Sequence, residues 1–493
     1  MILRDKRTGN YLYLFILSIV TVYLWYPLTQ LVLQWESYTY LNRQGYLPLF
    51  TDTWLSFANF DVQSMLTGVI LSNLFGLNMP LYFWVEIFSI LSINISVFFL
   101  TKTLTKNSAS AFIASFMFSV YFFGTEFFAP NYYATFLQRV ILNVPLLLVS
   151  FIFLHRFLAE KKTKYYSLSI LLFFLSIFIA HFGILLTFPI LLYPIFWEVF
   201  PSFRFRSFLR GLFISSPYIV TVIFFLLIQR FWGENVGPKE HIIYFLTHPE
   251  IYHYVEGAAR QLVYMSQYPS VIQAIMSRHS PFVFVDATST YKFVFPILLT
   301  YIIGFFVIWK KEKKYRALLL TIVSALIISL IINIYLNRFD FLNAAGLNRY
   351  YYYPSFLLAI FWSLLITVVI KKKRFFIIGS ILFGFFLINA VLFRQYFLDL
   401  KRYSLPTIKL YKYILSNYYQ LPSDSLVIVG PTPDFGPYEA KFFTQQLGEE
   451  RNIVYKTKNF AYSDWRPLAT VSAHLLTLTF NADCSCVKKE TLR

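Results

Sequence analysis

The sequence predicts an α-helical polytopic membrane protein with a small extracytoplasmic α/β region at its C-terminal end. Hydrophobic residues make up 57% of the 493-residue chain and charged residues 14%, against roughly 25% charged in an ordinary soluble domain. Apolar runs near the ~20 residues needed to cross a bilayer recur along most of the chain. Lysines and arginines give a net charge of +19, and they gather in alternate short loops, as the positive-inside rule requires.

The elements follow in order. Arg4, Lys6 and Arg7 precede a first span at 11–33, and no small-residue cleavage pattern follows it, so it reads as a retained signal anchor. Residues 63–77, QSMLTGVILSNLFGL, are short and semi-polar and suit an interfacial helix. Further spans are expected at 80–100, 109–123, 134–154, 167–180, 183–196, 212–231, 294–309, 317–335, 354–370 and 375–393. The count comes to about eleven spans, with the N-terminus inside and the C-terminus outside. The expected division is a membrane domain over 1–393, carrying outer loops at 34–79 and 232–291, and an outer C-terminal domain over 394–493.

Within that tail, LVIV at 426–429 reads as a buried strand, GPTPDFGP as turn chemistry, 438–447 as a helix and 452–456 as a second strand. The loop after the first strand lacks the spacing of a phosphate-binding or dinucleotide fingerprint. Cys484 and Cys486 are the only cysteines. Without a matching Cys/His pair they argue against structural zinc and leave either a local disulfide or two free thiols.

Distribution also decides what the basic residues mean. Spread over several short loops they determine topology, and no basic stripe marks a nucleic-acid footprint, so no nucleic-acid partner is expected.

Candidate chemistry gathers outside the bilayer. The stretch 34–61, QWESYTYLNRQGYLPLFTDTWLSFANFD, sets Glu36, Asp52 and Asp61 among aromatic residues and Arg43. Glu36 lies about one helical turn past the first span, where partial desolvation would favour a general base; the alternative is an interfacial carboxylate paired with Arg43. Asp61 suits an N-cap of the following helix. Glu126 belongs to the next outer loop, and His181 to a tight outer hairpin, either as a structural histidine or a substrate contact. Arg139, Arg338 and Arg349 sit near outer span ends, where a guanidinium either grips a phosphate or snorkels to head groups. Trp35 and Tyr350 belong to the aromatic residues of these loops, which either stack on sugar rings or form an interfacial belt. HPEIYHYVE in the long loop misses zinc-protease geometry, so no metal site is assigned.

The layout of first span, acidic outer loop E-S-Y-T-Y-L-N-R-Q-G-Y-L-P-L-F, semi-polar helix and second span, together with A-H-F-G-I-L-L-T-F-P around His181 and N-R-Y-Y-Y-Y-P-S around Arg349, resembles the polytopic GT-C glycosyltransferases, in particular poorly characterised bacterial members. The resemblance covers most of 11–393. It implies an enzyme of the bacterial plasma membrane, with an extracytoplasmic site, that moves a sugar from a polyprenyl-phosphate-linked donor to a glycan, lipid or protein acceptor. Carried over by position, Glu36 is the base with Asp52 in reserve, Glu126 is the second outer-loop carboxylate, and Arg349 and Arg139 meet the lipid-linked phosphate. Many members carry Asp at the first site, often within an acidic pair, where this chain has a lone Glu36. No cofactor is assigned, and a divalent cation stays open. The competing classes are a transporter or lipid-sugar flippase, which calls for charged groups inside the spans, and a catalytically silent cell-envelope assembly protein on the same scaffold.

Overall fold

The computed structural model describes residues 6–31, 71, 74–120, 143–179, 184–201, 203–232, 287–336, 352–370, scattered positions from 380 to 402, and most of 404–492. The described chain is mostly helical, with a small C-terminal sheet. It divides into two compact units, one of Met1–Leu24, Phe88–Glu126 and Arg139–Arg394, the other of Trp25–Ile87, Phe127–Gln138 and Gln395–Arg493.

Among the described residues, the first part of the chain carries the helices α1 (Lys6–Trp25), α2 (Met79–Thr105), α3 (Ser108–Ser119), α4 (Asn143–Glu160), α5 (Thr163–Ile179), α6 (Ile184–Val199), α7 (Phe205–Trp232), α8 (Ala287–Lys311), α9 (Arg316–Leu336) and α10 (Tyr352–Ile370). Among the described residues, four stretches are long and apolar enough to cross a bilayer: Asn10–Gln30, Met79–Thr105, Asn143–Glu160 and Phe205–Leu227. They belong to a membrane protein, and their exposed faces are apolar. On α7, for example, Phe213, Val220, Ile223, Phe224 and Leu227 are all exposed, a surface suited to lipid.

Local chemistry sets the helix ends. Lys106, at φ 58°, closes α2 in the left-handed region. The Asn107 side chain then accepts from the backbone N–H groups of Ala109 and Ser110 at 2.9 and 3.2 Å and caps α3. The α4–α5 turn uses Lys161 at φ 55° in the same way.

With lipid as solvent, small polar side chains hold helices together where the hydrophobic effect cannot. Between α4 and α5, Ser150 Oγ donates to the Ser169 carbonyl and Ser169 Oγ to the Ser150 carbonyl, each at 2.8 Å. Tyr218 of α7 adds a hydroxyl bond to Ser169 Oγ at 2.8 Å. Ser215 Oγ of α7 donates to the Leu191 carbonyl of α6 at 2.8 Å and ties these two helices. A proline inside a helix frees the carbonyl four residues before it. Ser216 Oγ reaches the Phe213 carbonyl, four before Pro217, also at 2.8 Å.

In the second unit, helix α11 (Leu405–Asn417) leads into β1 (Ser425–Val429), followed by α12 (Pro437–Phe443), β2 (Val454–Thr457), β3 (His474–Asn481) and β4 (Cys486–Thr491). The sheet order is β2-β1-β3-β4, with β1 parallel to both neighbours and β4 antiparallel to β3. The register aligns Val427 with Tyr455 and Leu476, and Val429 with Thr457 and Leu478, so these side chains share one face. All are buried. Phe443 packs on Tyr455 at 6.0 Å between ring centroids and Tyr411 of α11 packs edge-on to Phe443 at 4.7 Å. Burial pushes the Tyr455 hydroxyl well above its usual range. Cys484 and Cys486 form a disulfide across the β3–β4 turn, and Lys409 of α11 donates to the Ser485 carbonyl in that turn at 2.6 Å.

Gly430 ends β1 where the chain comes against β3. Its N–H donates to the Leu478 carbonyl at 2.7 Å, and a Cβ there would lie 2.6 Å from Thr479 Cγ2 and 3.2 Å from the Leu478 oxygen. Gly430→Val is therefore expected to destabilise this sheet by about 2–3 kcal/mol, read as earlier cleavage of the C-terminal region in limited proteolysis.

Candidate functional site

The residues singled out from the sequence, Glu36, Asp52, Glu126, Arg139, His181, Arg338, Arg349, Trp35 and Tyr350, lie outside the described residues, as do Arg43 and Asp61. Most of the semi-polar segment 63–77 lies outside them too. The described chain instead displays single buried polar residues within its apolar helices.

Its most unusual member is Glu86, which sequence reasoning passed over. The residue is fully buried on α2, seven positions past the helix start at Met79, or about 10 Å along the axis at ~1.5 Å per residue. Helical spacing sets it on one face with Tyr82, Ile90, Ile93 and Val97, all buried. Neither carboxylate oxygen has a hydrogen-bond partner among the described residues. An ionisable group within a span is costly and marks a functional position by default. The signal was a single acid in MPLYFWVEIFSILSINISVFFLTKTLT, the one departure from otherwise charge-free apolar sequence in that segment before Lys102.

Two turns along the same helix, Asn94 is fully buried. Its amide donates to Thr21 Oγ1 of α1 at 3.1 Å, and Ser115 of α3 donates to its backbone carbonyl. Its own side-chain oxygen has no partner among the described residues. Asn94 ties α1, α2 and α3 together and leaves one acceptor unused.

A second buried group joins α4 to α6. His155 Nδ1 lies 2.8 Å from the Tyr193 hydroxyl, and its ring meets Trp197 edge-on at 5.4 Å. Phe151 packs against Tyr193 from the other side at 5.1 Å. With one ring nitrogen bonded and aromatic walls around it, this histidine has the surroundings of a structural residue. Among the described residues, no three His, Cys, Asp or Glu side chains come close enough together to hold a metal ion.

The contrast between His155 and Glu86 is chemical. His155 is satisfied, whereas Glu86 has acceptor capacity for a cation or a hydrogen-bond donor and no described group using it. An unsatisfied buried polar group costs about 1–3 kcal/mol, which an apolar side chain of similar volume avoids. Glu86→Leu is accordingly expected to stabilise the detergent-solubilised protein by about 1–3 kcal/mol, measured by thermal unfolding; a lowered midpoint would show that Glu86 contributes a stabilising pair.

No protein-family model matches the chain, and no curated protein matches it.

Proposed function

We propose that this protein is a membrane glycosyltransferase of the GT-C type, transferring a sugar from a polyprenyl-phosphate-linked donor to a glycan, lipid or protein acceptor on the extracytoplasmic face. The observation that carries the reading is the placement of Glu36 and Asp52 in the acidic, aromatic stretch directly after the first apolar helix. An inverting transfer needs a carboxylate to take the acceptor hydroxyl proton as the new glycosidic bond forms, and cations to receive the departing phosphate. Glu36 is the proposed base with Asp52 in reserve and Glu126 second. Arg349, Arg139 and Arg338 bind phosphate in this reading, and His181, Trp35 and Tyr350 contact the sugar.

The reading carries about eleven spans and an inside N-terminus in a bacterial plasma membrane. The apolar helices support the membrane part. The Cys484–Cys486 disulfide supports an oxidising, extracytoplasmic setting for the C-terminal region. One observation favours a second reading. Glu86 is a buried acid inside a span, the kind of group a transporter or lipid-sugar flippase uses.

Reconstitution separates the two. Purified protein in vesicles is supplied with radiolabelled polyprenyl-phosphate-linked sugars and an acceptor extract, with and without a chelator. Label in a glycosidic product supports the transferase, and its loss on chelation adds a divalent cation. Transfer that survives Glu36→Ala, Asp52→Ala and Glu126→Ala alike removes the carboxylate mechanism. Labelled sugar-lipid that crosses the bilayer without transfer establishes the flippase.

A further inference from the structure

Between Arg156 and Arg210 the chain carries seven lysines and arginines and only two carboxylates, Glu160 and Glu198. The helix ends bring these charges together. Lys161, in the turn between α4 and α5, pairs with Glu198 near the end of α6 at 2.9 Å, and Arg210 in the first turns of α7 meets the same carboxylate at 3.7 Å. Lys162 uses Glu160 at 2.8 Å. Both carboxylates are thereby engaged, and Arg204 and Arg206 are exposed with no ion pair among the described residues. Arg156 and Lys164 are likewise exposed and lie over the Tyr165 ring, at 5.9 and 5.3 Å from its centroid.

What distinguishes this patch from a set of topology signals is what continues from it. On α7, Arg206 and Arg210 lie one turn apart, and the helical repeat carries their stripe on through Phe213, Val220 and Phe224. All three apolar residues are exposed, Phe213 at 78%. A row that begins with two guanidinium groups and proceeds as exposed hydrocarbon along a membrane helix has the polarity of one lipid molecule, head and tail.

We propose that this patch is a binding site for an anionic phospholipid of the adjacent leaflet. Its phosphate is held by Arg204, Arg206 and Arg210, and an acyl chain lies along Phe213, Val220 and Phe224. Charge complementarity selects the head group, because Arg204 and Arg206 have no ion pair among the described residues and Arg210 has only the longer, 3.7 Å contact to a carboxylate that Lys161 already holds at 2.9 Å. Continuity with the apolar stripe selects a lipid over a free anion. The site is independent of the glycosyltransferase reading.

The test uses the full-length protein in phosphatidylcholine vesicles containing trace spin-labelled lipid, with the motionally restricted fraction giving the association of each lipid. Wild type is expected to prefer spin-labelled phosphatidylglycerol over spin-labelled phosphatidylcholine by about fivefold or more, since each interfacial cation contributes on the order of 1 kcal/mol, itself about fivefold. The triple variant R204Q/R206Q/R210Q is expected to bring that ratio close to one, and R206Q alone to lower it by up to about fivefold, the contribution of one cation, so that the result does not depend on the triple variant folding. A control triple variant at another exposed basic cluster, K310Q/K311Q/K313Q, keeps the wild-type ratio. Equal association of both lipids with wild type, or an equal loss in the control, overturns the proposal. So does loss of the preference in inorganic phosphate but not in chloride of matched ionic strength, which would assign the site to the free ion.

Discussion

Glu36→Gln is expected to lower sugar transfer by about 10²–10⁴-fold while shifting stability by no more than about 0.5 kcal/mol. The amide keeps the size and much of the hydrogen bonding of the acid but cannot take a proton. In an inverting transfer the acceptor oxygen attacks the anomeric carbon as the bond to the donor phosphate breaks. The hydroxyl proton passes to the base, and the negative charge leaves on the phosphate. Removing the base therefore affects the chemical step more than donor binding, so kcat falls and KM changes little. The pH profile supplies a second readout. A general base works deprotonated, so wild-type activity rises with pH through the pKa of that carboxyl, and Glu36→Gln removes this limb. Asp52→Asn and Glu126→Gln are expected to cost less and to retain it. A larger loss in Asp52→Asn, with the acidic limb missing there, would transfer the role of base to Asp52. Arg349→Gln separates binding from chemistry, because a lost phosphate contact raises KM for the lipid-linked donor.

The helical body was legible because lipid contact and bilayer length constrain composition over whole turns. The segments expected to span at 317–335 and 354–370 are helical, as Arg316–Leu336 and Tyr352–Ile370, and the expected span at 80–100 falls inside Met79–Thr105, which is long and apolar enough to cross a bilayer. Ends were harder where chemistry changes along one helix. The stretch FRFRSFLR reads as a basic loop, yet from Phe205 onward it forms the first turns of α7. Long cationic side chains can stay helical while reaching the interface. In the C-terminal region LVIV was legible as a buried strand because it is apolar on both faces, and it proves parallel to both its neighbours. His474–Asn481 was not, since leucines at 475, 476 and 478 blur the two-residue alternation. Cys486–Thr491 is an edge strand rich in charge, which is how edges avoid aggregation and also how they escape notice.

The chemistry was less legible for a different reason. Glu86 disappears into the average of a 27-residue apolar helix, and whether one acid on a helix is buried depends on packing partners distant in sequence. Asn94 shows the same limit. Its bond to Thr21 joins residues 73 positions apart, and no local periodicity announces it. The acids of 34–61 stood out because they are adjacent in the chain, which is the property a sequence exposes directly.

Gly211→Leu is expected to destabilise the helical body by about 3 kcal/mol or more, the upper range for overpacking. A Cβ at Gly211 would lie 2.6 Å from Ile195 Cα, 3.0 Å from the Pro194 oxygen and 3.1 Å from the Ile195 nitrogen. All three are backbone atoms, so no change of rotamer relieves the overlap. Helix α6 must move away from α7, or α7 must bend. Either motion strains the neighbouring bond in which Ser215 Oγ of α7 donates to the Leu191 carbonyl of α6. In hydrocarbon a carbonyl that loses its donor finds no water to replace it. Gly211→Ala should fall between wild type and Gly211→Leu, since the contact already fails at the first carbon. Gly384→Ala is the matched control. Nothing lies within 4 Å of the Cβ it would add, and alanine favours a helix over glycine by about 1 kcal/mol, so that variant should unfold at or above the wild-type temperature. Thermal unfolding in detergent followed by gel filtration reads all three variants. An unchanged midpoint in Gly211→Leu would mean that α6 and α7 do not meet backbone to backbone at this position.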